Sequence, residues 1–263
     1  MQNENSKSNK IKNIKFKVMY DGSSYSGWQR VNNVKATKPS IQGVIEEGLS
    51  KILEEEITII SSGRTDAGVH AFGQVVNFKL NKDIDLTMLQ FKMNELLPED
   101  ICIYEVEEVE KNFHSRYDAK KKTYEYFIDI NERESVFNRK YAYPLGESLD
   151  IKLMEEGAKY LVGTHDFKAF CTDRKDGKST VRTIYNIKIE KINERFGANE
   201  VKIQITGNGF LYNMVRIIVG TLIEVGLLKR NPENIKETLE KKERINAGIT
   251  IGSQGLFLKN VEY

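Results

Sequence analysis

The residues best suited to chemistry lie together in a short, glycine-punctuated segment, SGRTDAGVHA at residues 62–71. This segment holds Arg64, Asp66 and His70 between two stretches that read as strands. Its small residues allow another backbone or a planar ring to approach closely. The carboxylate of Asp66 is therefore a candidate catalytic group, although an aspartate in a glycine-rich turn also commonly caps backbone N–H groups.

Other segments carry only fragments of catalytic or cofactor motifs. Residues 177–180, GKST, end like a phosphate-binding loop, but Thr172 replaces the required glycine and the segment leads into a strand. The GNG at residues 207–209 has Tyr212 where a dinucleotide-binding motif needs its third glycine. The histidines show no metal-ligand spacing. The sequence predicts neither a metal nor a nucleotide cofactor.

Length and composition are those of a globular protein. The chain of 263 residues carries a formal net charge of +2, and its length fits one large domain or two coupled domains. It contains no run of about 18 apolar residues, so no membrane span is predicted. Its polar start lacks the apolar core of a secretion signal, and Cys102 and Cys171 have no CxxC spacing. We therefore expect a cytoplasmic protein.

The small net charge hides a segregation of charge along the chain. Residues 95–110 hold seven acids and no base, residues 113–123 hold four bases and one acid, and residues 165–188 hold six bases and three acids. A phosphate-binding surface responds to the local field rather than to the total charge. The segregation is compatible with a basic face for nucleic acid. On composition alone, ordinary solvated charge runs are the simpler interpretation.

Hydrophobic periodicity predicts the elements that must position the candidate residues. The first half reads β-α-β-β-α-β, with helices opening at Ser40 and Asp85 and with strands at 12–20, 56–61, 73–80 and 101–109. The second half repeats this order, with helices at 149–163 and 209–228 and with strands at 122–130, 181–189, 201–207 and 255–263.

This order predicts an α+β protein made of two ferredoxin-like halves that share an extended, mainly antiparallel sheet with helices on one side. We expect a polar tail at residues 1–11, an N-terminal half at 12–115 and a C-terminal half at 116–263.

Two long strings, SGRTDAGVHA at residues 62–71 and GFLYNMVR at 209–216, resemble the tRNA pseudouridine synthase A family. The resemblance covers nearly the whole chain in the right order. Further matching segments are YDGSSYSGWQR (20–30), IQGVIEEGL (41–49), NFHSRYDAKKKTYEYFI (112–128), GTHDFKAFC (163–171), VRTIYNI (181–187) and QGLFL (254–258). Near the end this chain departs from the family, because residues 251–256 read IGSQGL where a proline-containing stretch is common.

The resemblance implies a pseudouridine synthase fold with an RNA-binding cleft. It also implies a reaction without metal or cofactor, in which the C1′–N1 bond of uridine breaks, the base rotates, and C1′ is rejoined to C5. The expected substrate is the tRNA anticodon stem-loop, at uridines 38–40, bound by a homodimer. Two alternatives stay open: a divergent paralogue that modifies ribosomal RNA, and an RNA-binding module without catalysis.

The resemblance also implies roles for particular residues. Asp66 matches the essential aspartate, which attacks C1′ or accepts a proton from the sugar. Tyr124 matches the tyrosine that packs against the uracil, and the alternative is an ordinary core tyrosine. Arg216 matches the arginine that pairs with the aspartate, and the alternative is an arginine at the helix edge with its charge in solvent.

For substrate binding, Arg64 matches the arginine that replaces the flipped base in the stack, and the alternative is a surface arginine that holds a phosphate. Leu256 and Leu258 resemble the apolar wall behind the base, and ordinary core packing is equally compatible. His70 and Trp28 are weaker candidates. The residues expected to contact RNA phosphates are Arg116, Lys120, Lys121, Lys122, Arg174, Lys175, Lys178 and Arg182.

Overall fold

The computed structural model describes residues 11–30, 37–172, 177–195 and 198–263. The first half of the chain has the predicted β-α-β-β-α-β order. Its elements are β1 (Lys12–Tyr20), α1 (Ile41–Leu53), β2 (Ile60–Ser61), β3 (His70–Leu80), α2 (Leu86–Leu96) and β4 (Ile101–Val109).

The second half contains the predicted elements and three more. Its elements are β5 (Lys121–Asp129), β6 (Tyr143–Pro144), α3 (Ile151–Lys159), β7 (Gly163–Asp166), β8 (Val181–Arg195), β9 (Ala198–Gly207), α4 (Met214–Gly226), α5 (Asn234–Lys241) and β10 (Leu256–Glu262). The additional elements are the short strands β6 and β7 and the helix α5.

Local sequence explains why these elements form where they do. In β1, Ile14, Phe16 and Val18 alternate along the strand and are fully buried. Helix α1 begins after Ser40, whose side chain accepts a hydrogen bond from the backbone of the first turn. Helix α2 begins after Asp85, whose carboxylate accepts two backbone N–H groups. Both predicted helix starts are therefore confirmed.

All described strands belong to a single sheet, in which the order of the main path is β4-β1-β3-β10-β5-β9-β8-β7. Most neighbours are antiparallel. The exceptions are the parallel pairs β3 with β10 and β5 with β6. The last strand of the chain therefore lies between β3 and β5 and joins the strands of the two halves. The predicted extended, mainly antiparallel sheet is confirmed.

Helix α4 is the most deeply buried helix of the second half. Of its residues Met214–Gly226, only Arg216 and Glu224 are not buried. The predicted helix over 209–228 is shorter in the structure because Asn213 adopts a left-handed conformation, with φ 60°. Residues 209–212 are consequently an irregular segment ahead of the helix. Among the described residues, no helix is long and apolar enough to cross a membrane.

A close backbone contact fixes the position of α4. A Cβ atom added at Gly220 would lie 2.2 Å from the carbonyl oxygen of Ile249, so this site has no room for a side chain. At Gly48 in α1, the nearest atoms to an added Cβ belong to the flexible end of Met93, at 3.2 Å or more. A methyl group at Gly220 would meet a rigid backbone carbonyl, whereas a methyl group at Gly48 would meet a side chain that can move.

We predict that Gly220→Ala lowers the free energy of unfolding by about 1–3 kcal/mol because the backbone must shift to make room for the methyl group. Gly48→Ala is the matched control. It should leave stability unchanged or slightly higher, since alanine favours a helix more than glycine does. Chemical denaturation of both variants checks this, and equal midpoints would contradict the assigned packing.

Candidate active site

A cavity of about 1050 Å³ lies where the loop at residues 62–69, strand β5 and the segment ahead of α4 meet. We call residues 62–69 the Asp66 loop. The site residues expected from the sequence that line this cavity are Trp28, Arg64, Asp66, Arg116, Lys122, Tyr124, Lys178, Arg182, Arg216 and Leu256.

Asp66 and Arg216 form an ion pair in this cavity, with Arg216 Nη1 lying 3.7 Å from Asp66 Oδ2. Both side chains are largely shielded, with exposed fractions of 19% for Arg216 and 30% for Asp66. Arg216 is oriented by two further hydrogen bonds, from Nε to the Ile251 carbonyl at 2.7 Å and from Nη1 to Asn213 Oδ1 at 2.9 Å. The guanidinium therefore has a fixed direction toward the carboxylate.

The Asp66 loop owes its shape to contacts with the first strand and the segment after it. The hydroxyls of Thr65 and Tyr20 are 2.8 Å apart, and the backbone N–H of Trp28 donates to the Thr65 carbonyl at 3.0 Å. Trp28 is itself buried. Gly68 has a φ of 76°, a conformation that favours glycine. These contacts aim Asp66 into the cavity.

Tyr124 and Leu256 supply apolar surface to the same cavity. Tyr124 lies on β5, is nearly buried, and packs edge-to-face on Phe210 with ring centroids 5.2 Å apart. Burial and the neighbouring charge of Asp66 raise the pKa of the Tyr124 phenol, which is therefore protonated at neutral pH. Leu256 begins β10 and also lines the cavity, whereas Leu258 is fully buried in the core.

Arg64 is the exposed cation of the Asp66 loop. Its side chain makes no hydrogen bond or ion pair with any other residue that the structure describes. It is therefore available to a bound molecule at the cavity mouth. A planar guanidinium of this kind stacks on nucleobases and binds phosphate.

The comparison with known sequences agrees with this arrangement. Residues 17–118 and 158–263 match the sequence profile of a family described as tRNA pseudouridine synthase, and these ranges contain the cavity residues named above except Lys122 and Tyr124. The chain belongs to the tRNA pseudouridine synthase family.

Similar proteins match over nearly their full length. The chain is 47% identical over 254 residues to tRNA pseudouridine synthase A 2 of Clostridium tetani, covering 96% of this chain and 99% of that protein. It is 42% identical over 253 residues to tRNA pseudouridine synthase A of Thermoanaerobacter sp. strain X514, covering 96% of this chain and 100% of that protein. The resemblance and the α+β fold class predicted from the sequence are thus confirmed, and the synthase is an isomerase.

In this synthase, two opposing effects act on the pKa of the Asp66 carboxyl group. Burial raises the pKa of Asp66 above its ordinary value, and the charge of Arg216 acts in the opposite direction. The resemblance led us to expect that Arg216 pairs with Asp66. Arg216 does favour the carboxylate, but burial has the larger effect on its pKa.

The expected phosphate-contacting residues fall into three groups. Arg116, Lys122, Lys178 and Arg182 line the cavity. Lys120 and Lys121 lie outside its lining, and Lys121 forms an ion pair with Glu262 at 3.4 Å. The remaining two candidates, Arg174 and Lys175, lie outside the described residues.

His70 does not line the cavity. It is buried at the start of β3, where Nδ1 accepts a hydrogen bond from the Gly22 N–H at 3.1 Å. Nε2 lies 3.0 Å from the Lys140 carbonyl and 3.2 Å from that of Gln254. Burial lowers the pKa of His70, so the ring is neutral. We assign His70 to the support of the Asp66 loop and leave it out of the proposed substrate-binding residues.

Asn213 is a site residue that the sequence reasoning missed. It accepts a hydrogen bond from Arg216, and its Nδ2 donates to Thr172 Oγ1 at 2.8 Å. The available signal was an asparagine directly ahead of an apolar helix, since asparagine tolerates the left-handed conformation better than most residues. Among the described residues, no group of three or more His, Cys, Asp or Glu side chains is arranged to hold a metal ion.

We predict that Arg216→Met moves the acidic limb of the pH–rate profile upward by about 1 pH unit and lowers turnover. We expect activity to require the carboxylate and therefore to fall as the pH drops through the pKa of Asp66. Removing Arg216 leaves burial unopposed, so this pKa rises. The charge-matched control is Lys229→Met, at an exposed ion pair with Glu147. An acidic limb at the wild-type position in Arg216→Met would refute the pairing.

Proposed function

We propose that this synthase converts uridines 38–40 of the tRNA anticodon stem-loop to pseudouridine, with Asp66 as the essential catalytic residue. The observation that carries the proposal is the Asp66 carboxylate, which is paired with Arg216, aimed into a cavity beside Tyr124, and the one carboxylate among the described residues that line this cavity. A hydrolytic glycosidase generally needs two carboxylates and a positioned water. One carboxylate suits a reaction in which the base returns to the same sugar.

The reaction breaks the C1′–N1 bond and forms a C1′–C5 bond, so that C5 loses a proton and N1 gains one. Two routes for Asp66 are compatible with its position. In one, the carboxylate attacks C1′ and forms an ester that the rotated base displaces. In the other, it removes a proton from the sugar while the bond to N1 breaks, and it returns this proton to the sugar when the C1′–C5 bond forms. Both routes use the ionised form that Arg216 favours.

The remaining cavity residues supply binding surface. Tyr124 and Leu256 would pack against the uracil, and the Tyr124 hydroxyl would help to transfer the proton that leaves C5. Arg64 would occupy the place that the flipped base leaves in the stack. Arg116, Lys122 and Arg182 would contact phosphates, and recognition would depend on backbone and shape, as is usual for folded RNA.

We further propose that the synthase acts as a homodimer in the cytoplasm, as the family resemblance implies. Sedimentation equilibrium of the free protein tests the first part, and a mass of a single chain at micromolar concentration would reject it.

Two other candidates remain as outcomes of the substrate assay. A paralogue specific for ribosomal RNA would leave tRNA transcripts unmodified and modify ribosomal RNA fragments. A binding module would bind RNA and form no pseudouridine in any transcript. Mapping pseudouridines in cells that lack the protein separates these candidates, since the sites that disappear identify the substrate.

We predict that Asp66→Asn lowers the rate of pseudouridine formation in tRNA transcripts by roughly 10³-fold or more, because the amide is neither a nucleophile nor a base. Asp85→Asn is the matched control and should retain full activity, since asparagine also caps a helix and Asp85 lies outside the cavity. Tritium release from C5-labelled uridine measures both rates. A fully active Asp66→Asn variant would exclude the proposed role.

A further inference from the structure

We propose that Arg116, Lys122 and Arg182 form a subsite for one phosphodiester group next to the target uridine, and that Lys122 connects this group to the Asp66 loop. The inference rests on the proposed function and deepens it, since it separates three of the basic residues from the others and gives Lys122 a second role.

Among the cations that line the cavity, Lys122 is distinguished by its position on the same strand as Tyr124. It lies on β5 two residues before Tyr124, so the two side chains project from the same face of the strand and both line the cavity. At about 3.3 Å per residue their positions are about 7 Å apart. A phosphate bound at Lys122 therefore belongs to the nucleotide whose base packs on Tyr124, or to its direct neighbour.

The electrostatics of the cluster favour an anion. Burial and the charges of Arg116 and Arg182 lower the pKa of Lys122 to about 8. Lys122 has no carboxylate partner among the residues that the structure describes. The charges of Arg116 and Arg182 disfavour the ammonium form of Lys122, and a bound phosphodiester would offset this effect through charge-assisted hydrogen bonds.

Lys122 also holds the beginning of the Asp66 loop. Its Nζ donates to the Ser62 carbonyl at 2.5 Å. Gln74 fixes the same residues from the other side, because the Ser62 hydroxyl donates to Gln74 Oε1 at 2.5 Å and Gln74 Nε2 donates to the Gly63 carbonyl at 2.9 Å. Arg64 and Asp66 follow directly along the chain.

Because Gly63 has no side chain, the Lys122 ammonium group can lie close to the Asp66 loop. A Cβ atom added at Gly63 would lie 3.3 Å from Lys122 Nζ, tighter than ordinary van der Waals contact. The ammonium is thus placed between the loop and the cavity. One of its three protons is used by Ser62, and the others remain for a bound phosphate. Lys122 is consequently a positioning residue as well as a binding residue.

The test is a cycle that combines a protein substitution with a neutral RNA linkage. Single methylphosphonates are placed 5′ or 3′ of the target uridine in an anticodon stem-loop, and the Kd of each RNA is measured for wild type, Lys122→Met and Lys122→Arg. Lys188→Met serves as control, because it removes an exposed lysine that pairs with Glu190 on β8.

In wild type, we expect one of the two neutral linkages to weaken binding by about tenfold. Lys122→Met should weaken binding of the unmodified RNA by a similar factor and lose the response to that linkage. Lys122→Arg and Lys188→Met should keep the response. At saturating RNA, Lys122→Met should also slow single-turnover formation of pseudouridine, with partial recovery in Lys122→Arg, because the Asp66 loop loses its support.

Two results would overturn the inference: no flanking linkage affects wild-type binding, or Lys122→Met responds to it as strongly as wild type does. If Lys122→Met does not fold, as judged by circular dichroism, the same cycle with Arg116→Gln and Arg182→Gln decides the question. Because the readout is affinity, it remains decisive even if wild type forms no pseudouridine, an outcome that would reject the proposed function separately.

Discussion

The ion pair between Asp66 and Arg216 is the interaction on which the site depends. Its partners come from the two halves of the chain, and both are largely withdrawn from water. A half-buried charge is costly unless it is paired and hydrogen-bonded. The sheet therefore has to bring the Asp66 loop and the first turn of α4 together, and it does so because β10 lies between β3 and β5.

The segment just before β10 supports this geometry mainly through its backbone. The carbonyl of Ile251 accepts from Arg216, and the carbonyl of Gly252 accepts from the Tyr126 hydroxyl at 2.6 Å. Such contacts depend on the path of the chain more than on its side chains. Residues 251–256, which read IGSQGL, therefore orient Arg216 through a backbone carbonyl rather than through a side chain.

Periodicity predicted the long elements well, because their buried faces repeat along the sequence. It did not predict β6 and β7, whose two and four residues are too few to show a period. It also began α4 too early, since residues 209–212 continue the apolar pattern and only the left-handed Asn213 ends it. Element bounds therefore depended on single residues rather than on the pattern.

For the site, a conspicuous loop and a family motif were enough to propose Asp66, Tyr124 and Arg216, which the cavity brings together. His70 shows the limit of such reasoning. Its ring nitrogens lie within hydrogen-bond distance of backbone groups from three segments that are distant in sequence, and no local sequence pattern predicts those contacts. The same is true of the bond between Lys122 and the Ser62 carbonyl.

The most direct test is an NMR titration of the Asp66 side-chain carboxyl carbon, assigned by comparison with Asp66→Asn, in wild type and in Arg216→Met. In wild type, the pKa should lie above that of an ordinary aspartate because of burial, and in Arg216→Met it should rise further. An Asp66 pKa that is the same in both proteins would show that Arg216 does not hold the carboxylate, and would contradict the central role of the ion pair.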